Sequence, residues 1–158
     1  MVGRTKLARR LLGAIVGVVL LLPVAPAGAA ATTLEASLSG GTAEVPDPGD
    51  PDGSGGAQVK INVKKQKLCF TLVVLDIMLP TAAAHIHEGE AGVAGGVAVT
   101  LKAPEEVAGT GIGLATGCAK GQPKSLLRDI KQNPDQYYVN VHTSDFPGGA
   151  VRGQLEVA

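Results

Sequence analysis

The chain has 158 residues, with 14 basic and 14 acidic side chains, two Phe, two Tyr and no Trp. That length suits a single domain after removal of an N-terminal segment. The balance of charges gives no excess of positive charge, which excludes the strongly basic class of nucleic-acid-binding proteins.

Residues 1–31 have the features of a secretory signal peptide. A basic start is followed by an uncharged apolar run at 11–22 and by small residues up to Ala31. This order predicts export and cleavage after Ala29 or Ala31, because the run is shorter than the roughly 20 residues of a membrane span. An uncleaved helical anchor is the alternative. Cleavage leaves one domain, residues 32–158, with ten basic and 14 acidic groups and a net charge of 10 − 14 = −4.

The cleaved domain is predicted to consist of short strands. Apolar and polar residues alternate in segments that are separated by turns rich in Gly and Pro. Strands are expected at 33–39, 59–64, 68–75, 82–88, 97–101, 112–118, 137–143 and 150–157. One helix is expected at 123–132, between Pro123 in its first turn and Asn133-Pro134 beyond its end. The predicted fold is all-β, an antiparallel β-sandwich (Ig-like or Greek-key type) with seven to eight short strands and one short helix.

Four lysines cluster at the predicted hairpin between the second and third strands: Lys60, Lys64, Lys65 and Lys67. Lysines often protect an edge strand against pairing with other chains. A contact with an anionic polymer is the alternative. We expect the first explanation.

The two cysteines, Cys69 and Cys118, are predicted to form a disulfide. An even number of cysteines in an exported chain most often means a bridge. Two buried free thiols are the alternative.

All three histidines of the chain lie in two strand-like segments. His85 and His87 are two residues apart, so they project from the same face of an extended strand. His142 lies in the later strand and shares a face with Asn140. If the strands meet, the three imidazoles can bind zinc or copper, with Glu88 or Asp145 as an added oxygen ligand. The alternative, which we expect, is a structural cluster in which each ring holds a neighbouring loop by hydrogen bonds.

Glu44 and Arg152 are a further candidate polar pair, because a carboxylate and a guanidinium can form two parallel hydrogen bonds if they meet.

Catalysis has little support in the sequence. No serine lies in a nucleophile-elbow motif, and three histidines are too few for a copper/zinc superoxide dismutase. We therefore expect no enzymatic activity.

Four motifs resemble the CHRD domain, which is named after the secreted animal protein chordin and also occurs in exported bacterial proteins. The first comprises LSG at 38–40 and EVP at 44–46. The others are AHIHEG at 84–89, YVNVHT at 138–143 and FPGGAVRGQL at 146–155. They occur in the family's order and cover essentially the whole cleaved chain. The resemblance implies a single-domain, exported bacterial member. Chordin's cysteine-rich modules, which are associated with growth-factor binding, have no counterpart here.

The expected function is therefore that of a secreted, non-catalytic binding or structural module. Its partner is an unidentified extracellular protein or cell-surface component, without nucleic acid and without a stable membrane span after cleavage. The alternative function is a metalloprotein with zinc or copper bound to the three histidines and with possible redox or hydrolytic activity.

Export can be checked by the intact mass of the protein recovered outside the cells. We expect a mature N-terminus at residue 30 or 32, because signal peptidase cuts after small residues. Recovery of the full-length chain in the membrane fraction would support the uncleaved anchor instead.

Overall fold

The computed structural model describes residues 32–158, which form ten strands, one α-helix and two short 3-10 turns. The strands are β1 (Thr32–Ser39), β2 (Ser54–Asn62), β3 (Lys67–Leu75), β4 (Ala83–Glu88), β5 (Gly96–Leu101), β6 (Glu105–Val107), β7 (Ile112–Lys120), β8 (Tyr137–His142), β9 (Val151–Gln154) and β10 (Glu156–Val157). The helix α1 spans Lys124–Gln132, and the 3-10 turns span Gly41–Ala43 and Pro134–Gln136. The predicted signal peptide, residues 1–31, lies outside the described residues.

All ten strands belong to one antiparallel sheet. Nine follow the order β5-β4-β8-β9-β1-β2-β3-β7-β6, and β10 pairs with β1. The sheet curls into a half-barrel, so that β5 and β7 contact each other. The predicted all-β antiparallel class with one helix is confirmed. The two-sheet sandwich is not confirmed, because continuous hydrogen bonding joins the strands into a single sheet.

The number of strands was underestimated, for two physical reasons. The exposed strand β6 lies in a segment where no strand was predicted, and its three residues are too few to show an alternating pattern. The predicted last strand divides in two at Leu155, beyond which the pairing with β8 does not continue. β9 lies between β8 and β1 and pairs with both, whereas β10 pairs with β1 alone.

The apolar core lies on the inner face of the curled sheet. Leu34, Leu72, Ile86 and Val139 come from four different strands and are fully buried. Burial of each such side chain contributes roughly 1.5–3 kcal/mol. The alternation predicted for β8 is confirmed, because its odd-numbered residues belong to this core and its even-numbered residues face the other way.

Helix α1 packs against the core through Leu127 and Ile130, both fully buried, while its opposite face is exposed. It begins after Pro123, in agreement with the predicted helix at 123–132. No helix among residues 32–158 is long and apolar enough to cross a membrane.

The lysine-bearing hairpin does not form an edge of the sheet. β2 lies between β1 and β3, and β3 lies between β2 and β7. Protection of an edge strand was therefore the wrong explanation for Lys60, Lys64, Lys65 and Lys67, because both strands of the hairpin have hydrogen-bonded neighbours on each side.

The predicted disulfide is confirmed. Cys69 on β3 and Cys118 on β7 lie directly opposite each other and are bonded. The bridge links residues 49 positions apart in the sequence and fixes the register of two neighbouring strands.

Replacing both cysteines by serine should lower the free energy of unfolding by about 4 kcal/mol, because the unfolded chain regains the freedom of a closed loop of about 50 residues. Urea unfolding of the wild type and the double variant measures the difference. The matched control is Thr71→Ser with Thr116→Ser, the next exposed pair along the same two strands. Equal urea midpoints for wild type and cysteine variant would contradict the expectation.

Candidate metal-binding site

The adjacent strands β4 and β8 bring the three histidines together. In their antiparallel register Ala83 lies opposite His142, His85 opposite Asn140, and His87 opposite Tyr138. Ile86 points to the core, so His85 and His87 both project to the outer face, as their spacing predicted. The His85 ring centroid lies 5.5 Å from that of His87 and 5.1 Å from that of His142.

Two of the rings are held by backbone carbonyls of different loops. His87 Nδ1 lies 2.9 Å from the carbonyl oxygen of Gly95, and His142 Nδ1 lies 3.1 Å from that of Pro147. A carbonyl oxygen can only accept, so both Nδ1 atoms carry the proton and donate it. In the neutral rings each Nε2 then presents a lone pair.

The remaining ring nitrogens face one another. His85 Nδ1 lies 3.2 Å from His142 Nε2 and donates to it when no ion is bound. His87 Nε2 is buried and has no hydrogen-bond partner among the described residues. An unpartnered acceptor is costly in a side chain that is only 8% exposed. Among the described side chains of this cluster, the unpartnered nitrogen of His87 is therefore the strongest indication that the cluster binds a ligand.

One pair of ring nitrogens in the cluster has the spacing that a transition-metal ion requires. One ring nitrogen from each histidine lies within 4.8 Å of the other two. Two nitrogens bound to one tetrahedral zinc ion are about 3.3 Å apart, given bonds of 2.0–2.1 Å. The separation of His85 Nδ1 and His142 Nε2, 3.2 Å, is close to that value. Carbonyl acceptors at the opposite nitrogens of His87 and His142 supply the outer-shell support that metal-bound histidines typically have.

Burial favours the neutral forms of His85 and His142, which are the forms that bind metal. It lowers the pKa of His85, and the neighbouring His87 lowers that pKa further. Burial is also the largest effect on His142 and lowers its pKa. The hydrogen bond to Pro147 opposes this change, while the nearby His85 and His87 add to it.

Tyr138 connects the histidines to Arg152. The rings of His87 and Tyr138 stack at 4.9 Å with an angle of 9° between their planes. The guanidinium of Arg152 lies 3.5 Å from the centroid of the Tyr138 ring, a cation–π contact. Arg152 also donates to the carbonyl oxygens of Val93 (3.1 Å) and Glu90 (3.4 Å). This stack fixes the loop that carries the acceptor for His87.

The candidate pair of Glu44 and Arg152 does not form a direct ion pair. Within residues 32–158 the only ion pair joins Lys102 and Glu105. Glu44 instead accepts a hydrogen bond of 3.3 Å from the side-chain amide of Asn140, and its other oxygen is buried without a partner. Burial raises the pKa of Glu44 to about 7, although the charge of Arg152 and the bond from Asn140 oppose the rise.

The two oxygen ligands suggested by the sequence are not part of the cluster. Glu88 and Asp145 are exposed and do not join the group of converging ligand atoms. Sequence reasoning also missed the contact of Tyr138 with both His87 and Arg152. The only available signal was that Tyr138 shares a strand face with Asn140 and His142.

A profile of the CHRD domain family matches residues 34–155. The chain belongs to the CHRD domain family. Neither a curated protein nor a solved structure matches it. The matched range contains the three histidines together with Glu44, Asn140 and Arg152, so the whole polar cluster lies within the CHRD domain.

Glu44 should make the stability of this CHRD domain depend on pH. The pKa of Glu44 is about 7 in the folded protein, whereas the ordinary pKa of a glutamate, expected in the unfolded chain, is 4.5. Between these two pH values the folded state therefore binds more protons than the unfolded state. Stability contributed by the protonated acid is therefore present below about pH 4.5 and is lost as the pH rises to about 7, by an amount on the order of 3 kcal/mol.

The variant Glu44→Gln stays neutral at every pH. Its free energy of unfolding should rise relative to that of the wild type between pH 5 and 8, as measured by urea unfolding at a series of pH values. Glu35→Gln, at an exposed carboxylate, is the control. A constant difference between Glu44→Gln and wild type over this range would disprove the assignment.

Proposed function

We propose that this CHRD protein is an exported module that binds a transition-metal ion, zinc or copper, through His85, His87 and His142. The observation that carries the proposal is the buried, unpartnered Nε2 of His87, a histidine with one ring nitrogen within 4.8 Å of a ring nitrogen from each of the other two. Binding of a metal ion supplies the partner that this atom lacks.

Export has two lines of support. Residues 1–31 have the order of a signal peptide, and the Cys69–Cys118 disulfide is typical of proteins in an oxidising compartment. We propose a single-domain, exported bacterial member of the family. In this proposal the protein is secreted, is not anchored in a membrane and acts outside the cell.

The ligand set narrows the class of metal. Three neutral imidazoles without a carboxylate suit zinc and copper better than magnesium or calcium, which prefer oxygen ligands. We propose a binding role without a reaction, because the chain has no nucleophile-elbow motif and fewer histidines than a copper/zinc superoxide dismutase requires.

A structural role for the histidines is the second candidate. It is favoured by the bonds from His87 to Gly95 and from His142 to Pro147, since each ring holds a different loop against the sheet. In this case the protein is a non-catalytic module whose extracellular partner contacts another surface. The two candidates differ in their response to metal and to chelators.

Metal binding is tested with protein produced without an affinity tag, loaded with zinc or copper(II) and dialysed. We expect one equivalent of metal by elemental analysis. At a free metal concentration 100 times the dissociation constant, binding should add about 2.7 kcal/mol to the free energy of unfolding. His87→Gln should lose the metal and this stabilisation, because it removes the buried nitrogen ligand.

The matched controls are Glu88→Gln and Asp145→Asn, which remove neighbouring exposed carboxylates and should retain the metal. Stoichiometric metal in His87→Gln would exclude the proposed site. If the wild type retains no metal and a chelator leaves its melting temperature unchanged, the structural candidate is correct.

A further inference from the structure

Half of the ten basic residues in the described chain lie at one end of the outer sheet face. We call Lys60, Lys64, Lys65, Lys67 and Lys120 the lysine cluster. Lys60 lies on β2, Lys67 on β3 and Lys120 on β7, while Lys64 and Lys65 lie in the turn between β2 and β3. This surface is independent of the histidines.

The register of the sheet brings these lysines together. Lys67 lies directly opposite Lys120 on one side and Asn62 on the other. Lys60 lies in the next row of the same face, opposite Cys69. The residues between these rows point to the core, because Ile61 and Leu68 are buried. The cationic side chains therefore share one face around the disulfide.

No carboxylate among residues 32–158 forms an ion pair with the lysine cluster. The segments 57–75 and 107–128 contain no Asp or Glu. The one ion pair in the described part of the chain, Lys102–Glu105, lies outside the cluster. Glu35, on the same face of β1, accepts a hydrogen bond from Gln58 instead. The lysine cluster is therefore a local positive surface on a domain whose net charge is −4, and such a surface attracts anionic partners.

The position of the hairpin removes the alternative explanation. β2 and β3 are interior strands, so their lysines do not protect a free edge. Neighbouring strands are about 4.8 Å apart, and residues two positions apart on a strand are separated by about 6.7 Å. The cluster is thus a two-dimensional array of mobile point charges rather than a pocket for one anion.

The side chains around the lysine cluster narrow the class of anionic partner. No aromatic residue occurs among the exposed large apolar side chains of the described chain, so base stacking on single-stranded nucleic acid has no platform. The exposed Ile112 and Leu114 are six to eight residues from Lys120 along β7, a distance of at least about 20 Å. The lysine cluster therefore lacks these two residues as an adjacent apolar anchor for a membrane.

We propose that the lysine cluster binds a linear polyanion, a polymer with repeated phosphate or sulfate groups. Lysine suits such a partner because its flexible, strongly hydrated ammonium group needs no fixed bidentate geometry. The interaction is electrostatic and depends strongly on salt.

The test measures binding of long-chain polyphosphate and of heparin by isothermal titration calorimetry over a range of salt concentrations. The wild type should bind at least one polymer, and its affinity should fall by at least about tenfold between about 50 and 200 mM salt. The variant Lys60→Gln/Lys65→Gln/Lys120→Gln should bind about tenfold more weakly. The slope of log affinity against log salt should flatten by about 2.

The matched control is Lys102→Gln/Arg128→Gln/Lys131→Gln, which removes the same number of exposed charges elsewhere and should bind like the wild type. Equal weakening in both variants, or no binding by the wild type, would overturn the proposal. Equally tight binding of orthophosphate would show a single-anion site instead. Binding to phosphatidylglycerol vesicles but to neither polymer would show a membrane surface. Circular dichroism verifies that both variants are folded.

Discussion

The structure depends on a buried polar layer whose groups must find hydrogen-bond partners. β8 lies between β4 and β9, and one of its faces contributes Tyr137, Val139 and Val141 to the apolar core. The opposite face presents Tyr138 and Asn140, which are also buried. Buried polar groups are costly unless they are bonded, so loops must cover this face and supply partners.

Glycines allow the loops to approach closely enough. A Cβ atom on Gly95 would collide with the carbonyl of Glu88, and the Gly95 carbonyl is the acceptor for His87. Gly149 has a φ of +147°, and a Cβ there would lie 2.5 Å from both carboxylate oxygens of Glu44. The Phe-Pro-Gly-Gly turn of the CHRD motif therefore has a physical reason. It places backbone where a side chain would displace the buried acid.

Two regions on the outer face of the sheet differ in the burial and charge of their polar side chains. Around β4, β8 and β9 the polar groups are covered, the pKa values of His85 and His142 are lowered, and that of Glu44 is raised, so neutral forms prevail. Around β2, β3 and β7 the lysines are exposed or half-buried and form no ion pair. A covered, neutral cluster suits a small ion held by lone pairs, whereas an open cationic array suits a large, flexible anion.

The sequence alone determined the features that depend on neighbours along the chain. Period-two alternation placed His85 and His87 on one face, Pro123 and Asn133-Pro134 bounded the helix, and the even pair of cysteines predicted the disulfide. Only the tertiary structure decided which strands pair. Strand order produces the single curled sheet and places the lysine hairpin in its interior. It also brings Arg152 to Tyr138 instead of to a direct pair with Glu44. The local pattern indicates hairpins between consecutive strands, such as β2 and β3, but the order of the other strands is set by packing between residues far apart in sequence.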